Sequence, residues 1–264
     1  MKRLSHTQTH ALAMVLGAAA ALFASAPRSA AAQEANGLGE KGQLILSVDR
    51  LMPLLSYSSQ SETSTTQGLT VKTSDSGTSA ALLFGSEPTL GVVHTIPRIA
   101  FDFTIINHLT VGGSLAVAFG LGGKHEVDAG NGTPIRKTDT PSRTVFGFAP
   151  RVGYIIPLSH TIAFWPRLGF ALYTVSSKSD DVNNQNVVTT TTNTDTLFSL
   201  DLDPQFTWAP IPHFFFHAGP LLNIPVSGSR SVETATGPGS ITTKSDLSVF
   251  HIGLSAGLGG WFDL

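Results

Sequence analysis

The chain has 264 residues, 41% hydrophobic and only 13% charged, with 26 Gly, 15 Pro, 16 Phe and no Cys. A charged share about half the roughly 25% of soluble domains leaves too little charge for an ordinary water-facing surface, and the abundance of Phe argues against disorder. Disulfide scaffolds, zinc–thiolate sites and cysteine nucleophiles are excluded outright.

At the start, Lys2 and Arg3 precede the apolar run ALAMVLGAAAALFASA over 11–26, and Ala30-Ala31-Ala32 follows as a small-residue cleavage site. That is the layout of a secretory signal peptide covering 1–32. The run is shorter than the roughly 20 apolar residues a membrane-spanning helix needs. Removal after Ala32 takes away Lys2, Arg3 and Arg28 and no acid, leaving 13 basic against 18 acidic residues and a net charge of −5. Nucleic-acid binding then loses its electrostatic basis. Residues 33–42 read as a short N-terminal tail.

From Gln43 onward the apolar periodicity is two, the period of strands. Eight strands are predicted: Gln43 to Tyr57, Pro97 to Ile105, Leu109 to Leu121, Thr144 to Ile156, Thr161 to Val175, Thr196 to Trp208, Phe214 to Val226, and Leu247 to Leu264. The short connectors IINHLT, IPLSHT and APIPHF carry His108, His160 and His213, spaced 52 and 53 residues apart, so a hairpin unit repeats. Between these units lie four long segments rich in Ser, Thr, Asn and Asp, which read as polar loops. Even strand number, short turns on one side and long loops on the other fit an eight-stranded antiparallel up-and-down transmembrane β-barrel. Ala80 to Ile96 extends the second strand upward or folds within the first loop, the two readings favoured, or else adds a hairpin and makes ten strands.

Alternation assigns the faces. In Thr161–Val175, Ile162, Phe164, Leu168, Phe170 and Leu172 oppose Ala163, Trp165, Arg167, Gly169, Ala171 and Tyr173. The polar face is small and nearly uncharged, which suits a narrow lumen with lipid outside; a soluble sandwich would carry Lys and Glu there.

On these features the chain resembles small bacterial outer-membrane β-barrel proteins, similar in plan to the outer-membrane protein A transmembrane domain and to OmpW-like barrels. The last strand, FHIGLSAGLGGWFDL, places Phe250, Ile252, Leu254, Leu258, Phe262 and Leu264 on one face. It resembles the C-terminal signal read by the barrel-assembly machinery, although it ends in Leu264 where many barrels end in an aromatic residue. The resemblance implies a monomer in the outer membrane of a Gram-negative bacterium, surrounded by lipid.

Inside, strict alternation gathers Asp49, Arg98, Asp102, Arg151, Arg167, Asp201 and Asp203 in one mid-height band. A barrel of this size is just wide enough for its own side chains, so these charges read as a structural plug of mutual partners; the sharper alternative is an ion or small-solute gate. His217 and His251 point inward at different heights, too far apart for a shared metal. His251 and Ser255 share a face but lie about 13 Å apart along the strand, so no triad is expected and neither catalysis, metal nor cofactor is assigned. Trp208, Phe214, Phe216, Trp261 and Phe262 cluster at the short-turn end as an interfacial girdle; Trp165 and Trp261 index inward and either sit at a bulge or close the lumen floor. The favoured role is structural or surface-interacting, through the outer loops. Transport of small hydrophobic or polar solutes is the alternative, and lipid modification a more distant one.

Overall fold

The computed structural model describes residues 37–66, 69–80, 92–120, 123–127, 136–139, 141–182, 188–236 and 239–264. The expected signal peptide at 1–32 lies outside the described residues. In chain order the elements are β1 (Gln43–Thr66), β2 (Leu69–Ala80), α1 (Val92–Thr95), β3 (Arg98–Ile106), β4 (Leu109–Gly120), β5 (Lys124–Val127), β6 (Arg136–Asp139), β7 (Ser142–Tyr154), β8 (Ile156–Pro157), β9 (Ile162–Val182), β10 (Val188–Ile211), β11 (Phe214–Thr236) and β12 (Gly239–Asp263). Eight of them close a ring, β1-β3-β4-β7-β9-β10-β11-β12 and back to β1, every pair antiparallel. Closure leaves no free edge at membrane height, which is what permits strands to span lipid.

Period-two alternation builds the wall. On β4, Val111, Leu115, Val117 and Phe119 are exposed while Thr110, Ser114 and Ala116 are buried. On β9, Ile162, Leu168, Phe170 and Leu172 are exposed, opposite buried Ala163, Trp165, Arg167 and Ala171. Bulky apolar residues outside and small or polar ones inside invert a soluble protein, and lipid is the solvent that makes the arrangement stable. Along β9 this apolar belt runs from Ile162 to Leu172, about 25 Å of height at roughly 3.3 Å per residue and a tilt near 40°. The chain is therefore a transmembrane β-barrel of the outer-membrane type. Two residues of the outward register are nonetheless buried: Phe164, covered in part by its cross-strand partner Phe206 in a tilted ring pair with centroids 4.9 Å apart, and Phe250.

Tight turns hold the short-turn end. Asn107-His108 joins β3 to β4 and Pro212-His213 joins β10 to β11, with His108 at φ 72° and His213 at φ 63°, a left-handed conformation that His tolerates better than most side chains. Beneath the barrel, the segment from Gly37 folds inward: Gln43 Oε1 accepts from Gly39 N at 2.7 Å, and Gly39 O accepts from His108 N at 2.6 Å.

Three of the four polar segments are strand rather than loop. β1, β9, β10, β11 and β12 run for 24, 21, 24, 23 and 25 residues, against 9, 12 and 13 for β3, β4 and β7. Ser and Thr pair well in a ladder, but with polar residues on both faces the sequence loses the alternation by which strands are recognised. The second polar segment holds the small β5–β6 hairpin. One wall therefore stands about twice as tall as the other.

Above β3, β1 changes partner. Its Leu44–Asp49 stretch pairs with β3, and its Leu55–Thr66 stretch pairs with β2. β2 forms a hairpin with β1 outside the eight-strand ring, and β3 begins at Arg98 just after α1; most of the Ala80 to Ile96 segment, residues 81–91, lies outside the described residues. Val93, His94 and Thr95 of α1 are buried in the interior.

Candidate functional site: an interior charge layer

The structure places Asp49, Arg98, Asp102, Arg151, Arg167, Asp201 and Asp203 inside the barrel, each at most 7% exposed, and brings them into one network. Arg151 sends Nε to Asp102 Oδ1 at 2.9 Å and Nη2 to Oδ2 at 2.5 Å, a two-pronged pair, and bonds Asp49 through Nη1. Arg167 Nη1 reaches Asp49 Oδ1 at 3.2 Å, with Nη2 3.9 Å from Asp203. Arg98 Nη1 donates to Asp201 Oδ2 at 3.1 Å. Neutral donors complete the carboxylates: Ser47 Oγ to Asp49 and Ser199 Oγ to Asp201, both at 3.0 Å, and Asn223 Nδ2 to Asp201. Removing this much charge from water is tolerable only with such dense pairing.

Arg50 belongs to the layer and strict alternation misses it, because a residue beside inward Asp49 should face lipid. A register shift between Val48 and Met52 and a φ of 57° at Arg50 turn it inward. Such a bulge re-aims one side chain and has no signature in the sequence. Arg50 Nη2 contacts Asp201 at 3.4 Å and Asp203 at 3.2 Å, and its Nη1 donates to His94 O at 2.5 Å.

Aromatic rings cover the layer from both sides. Below, Trp165 lies under Arg167 at 5.0 Å and Arg151 at 5.9 Å, and its Nε1 donates to Thr110 at 3.1 Å. Trp165, Phe215 and Trp261 are at most 1% exposed and pack with Leu38, Ile45 and Ile155. Both Trp residues thus form the floor of the lumen, and Trp261 leaves the girdle, where Trp208, Phe216 and Phe262 are exposed. Above, Arg98 faces the Tyr173 ring at 5.2 Å within an apolar cluster that includes Val93, Val145, Leu197, Leu247 and Val249.

Of the histidines, His108 and His213 shape turns, whereas His217 and His251 point inward and are at most 3% exposed. His251 Nδ1 is 2.8 Å from Ser58 Oγ, a pair hidden from the sequence because Ser58 falls in an apparent loop. It is fully buried, and His251 Nε2 meets no carboxylate among the described residues. Acyl transfer also needs an acid that orients the imidazole, and among the described residues none is hydrogen-bonded to His251 Nε2.

Outside the membrane span a second network ties the tall wall together. Arg230 on β11 grips Asp195 on β10 at 2.7 and 2.9 Å and reaches Glu62 on β1 at 2.7 Å, while Ser245 on β12 donates to Glu62 at 2.6 Å. The hydrogen bonds that Arg230 donates to Asp195, with the charges of Asp195 and Glu62, raise the Arg230 pKa above its ordinary value despite partial burial.

No protein-family model matches the chain, and no curated protein matches it in sequence. Among solved structures it is similar to the outer membrane protein OprG from Pseudomonas aeruginosa, at 14% identity and a TM-score of 0.49, over 85% of this chain and 98% of that one. It is also similar to Ail, the attachment invasion locus protein of Yersinia pestis (12%, TM-score 0.33, 84% and 100%), and to the outer membrane protease OmpT from Escherichia coli (8%, TM-score 0.36, 83% and 97%). These are likenesses of general architecture. The assignment as an outer-membrane β-barrel with a buried Arg/Asp network rests on the chain's own strand ring, apolar belt and ion pairs.

Proposed function

We propose that the protein is a closed outer-membrane barrel whose role is exercised at the cell surface, with residues 1–32 serving as its export signal and the C-terminal strand as its assembly signal. The height of the wall carries this reading. Strands of up to 25 residues rise about 60 Å at roughly 3.3 Å per residue and a tilt near 40°, far beyond a belt about 25 Å tall. A barrel that only conducts or only fills the membrane has no use for that sheet. Its strands β1, β2 and β9–β12 present hydroxyl and carboxylate groups, held in register by the Arg230 network. Loops and extended hairpins on a rigid barrel are where binding functions are carried.

The interior supports the same reading, because the tryptophan floor, the charge layer and the upper apolar cluster occupy the lumen in succession.

Register sets the test. Ser58 pairs with Gly77, Ser176 with Thr194, and Ser231 with Lys244; cutting the chain at those pairs and joining them by short turns removes the extensions and leaves the membrane wall. Heat-modifiable gel migration checks that the shortened barrel folds. Loss of binding to cells, lipid or surface glycans is expected. If every measured binding phenotype survived the triple truncation, the surface role would be wrong.

A further inference from the structure

Two histidines meet inside the barrel with no acid between them. His94 of α1 and His251 of β12 are at most 1% exposed and stack with ring centroids 5.4 Å apart, while Tyr173 stands at right angles to His94 at 5.3 Å. Of the four imidazole nitrogens, His251 Nδ1 has Ser58 Oγ at 2.8 Å, and the other three have no hydrogen-bond partner among the described residues. Each buried nitrogen left so weakens the arrangement that buries it.

The charges around the pair are mostly of one sign. Arg50 of β1 donates to His94 O, Arg98 of β3 stands 5.2 Å from the Tyr173 ring, and both guanidiniums act on both imidazoles. Tyr173 of β9 brings no charge. On β10, Asp203 is the carboxylate whose field reaches His251, and it is already shared by Arg50 and Arg167; Asp201 is engaged by Arg50 and Arg98. Buried imidazoles in such surroundings are neutral, since a proton on either would face two guanidiniums and protons on both would face each other.

Within this cluster α1 alone stands outside the wall. Val92–Thr95 is a four-residue helical turn with no place in the ring of eight strands, whereas Arg50, Arg98, Tyr173 and His251 all sit on ring strands. Moving α1 would separate the two imidazoles and admit water to both without breaking a strand pair of the ring.

We infer that α1 is an acid-released latch: protonation of His94 and His251 drives the turn out of the upper lumen, while the strand ring, the charge layer and the tryptophan floor stay in place. This goes beyond the surface role and does not depend on it, for it gives the upper lumen two forms, capped near neutral pH and uncapped in acid. The released form binds two more protons than the capped one, so acid favours it. An exposed imidazole titrates near about 6.5, and each unit of pH below that shifts the capped-to-released ratio about tenfold per histidine, about a hundredfold for the pair.

The test uses the intact barrel in lipid nanodiscs. Amide hydrogen exchange is followed by mass spectrometry from pH 7 to pH 5, with rates corrected for the intrinsic effect of pH on exchange. The amides of 92–96 are expected to lose protection by about a hundredfold per unit of pH at the acid end, while ring strands such as β4 and β9 keep theirs. His251→Gln should reduce that dependence to about tenfold per unit, and His94→Gln combined with His251→Gln should abolish it. Equal protection of 92–96 at pH 7 and pH 5 would overturn the inference. So would protection lost together with that of the ring strands, which is acid unfolding of the whole barrel, or a pH dependence that survives in the double variant, which belongs to the carboxylates. Should the double variant fail to fold, the wild-type profile and His251→Gln still decide.

Discussion

Arg50 Nη1 donates to the backbone carbonyl oxygen of His94 at 2.5 Å, so a strand residue held at φ 57° fixes the helical turn α1 inside the barrel. The same guanidinium touches Asp201 and Asp203. A non-glycine residue in this conformation costs on the order of 1 kcal/mol, and the ion pairs and the α1 contact are what hold it there. Arg50→Met should therefore destabilise the barrel by about 3 kcal/mol or more, because it leaves two buried carboxylates short of a partner. Urea unfolding in lipid vesicles measures this. An unchanged midpoint would mean that Arg50 anchors nothing.

His108 offers the opposite sign. At φ 72° it closes the β3–β4 turn, and its Nδ1 has no partner among the described residues. His108→Gly removes the strain and should leave stability unchanged or raise it by up to about 1 kcal/mol; His108→Val should lower it. A Gly variant that unfolds more readily than wild type would show that the imidazole contributes packing that outweighs the strain.

These two residues mark the boundary of what the sequence discloses. His108, His160 and His213 are visible as connectors because turns repeat at a regular interval, and Arg167, Asp201 and Trp165 are visible as inward because alternation is unbroken along β9 and β10. Arg50 is invisible, since a single bulge reverses the facing of one residue without altering composition. The tall hairpins are hidden for another reason: a ladder such as Thr189–Thr196 against Ser229–Thr236 is polar on both faces and carries no period. His94 enters the interior only because β1 exchanges β3 for β2 as its partner, a topological event with no local signal.

Small residues on the inner face are there for fit. A Cβ built on Gly147 would stand 2.6 Å from Tyr173 Cδ1 and 2.7 Å from Cε1. Gly147→Val should push Tyr173 off Arg98 and cost about 1–3 kcal/mol through overpacking. Tyr173 is 1% exposed, so it has little space to retreat. Pairing Gly147→Val with Tyr173→Leu should recover part of the loss, and two variants whose effects simply add would refute the contact.

In the tall wall, Arg230→Ala should cost about 1 kcal/mol at most, because the network is a quarter exposed and water screens it. Its larger consequence is local. Without Arg230, β10, β11 and β1 lose their shared tie above the membrane, and cleavage of the hairpins by added protease should accelerate while the membrane-embedded part stays intact. Raised salt should mimic the variant weakly, since screening acts on partly exposed pairs. Hairpins cut at the wild-type rate would show that backbone pairing alone holds the sheet.

Conductance tests the interior as a whole. Three obstructions lie in series: the floor of Trp165, Phe215 and Trp261, the charge layer, and the upper cluster around Tyr173 and Leu197. Each fills the cross-section of an eight-strand barrel, which is scarcely wider than its own side chains, so removing one leaves the other two. Purified protein in a planar bilayer should give no steady single-channel steps, and Arg167→Ala alone should not create them, although it should lower stability by leaving Asp49 with one guanidinium fewer. Steady current should need truncation at more than one level, as in Trp165→Ala combined with Arg167→Ala and Tyr173→Ala. Large, stable steps from wild-type protein, with an ion selectivity that Arg167→Ala alters, would instead make the layer a gate and the barrel a conduit.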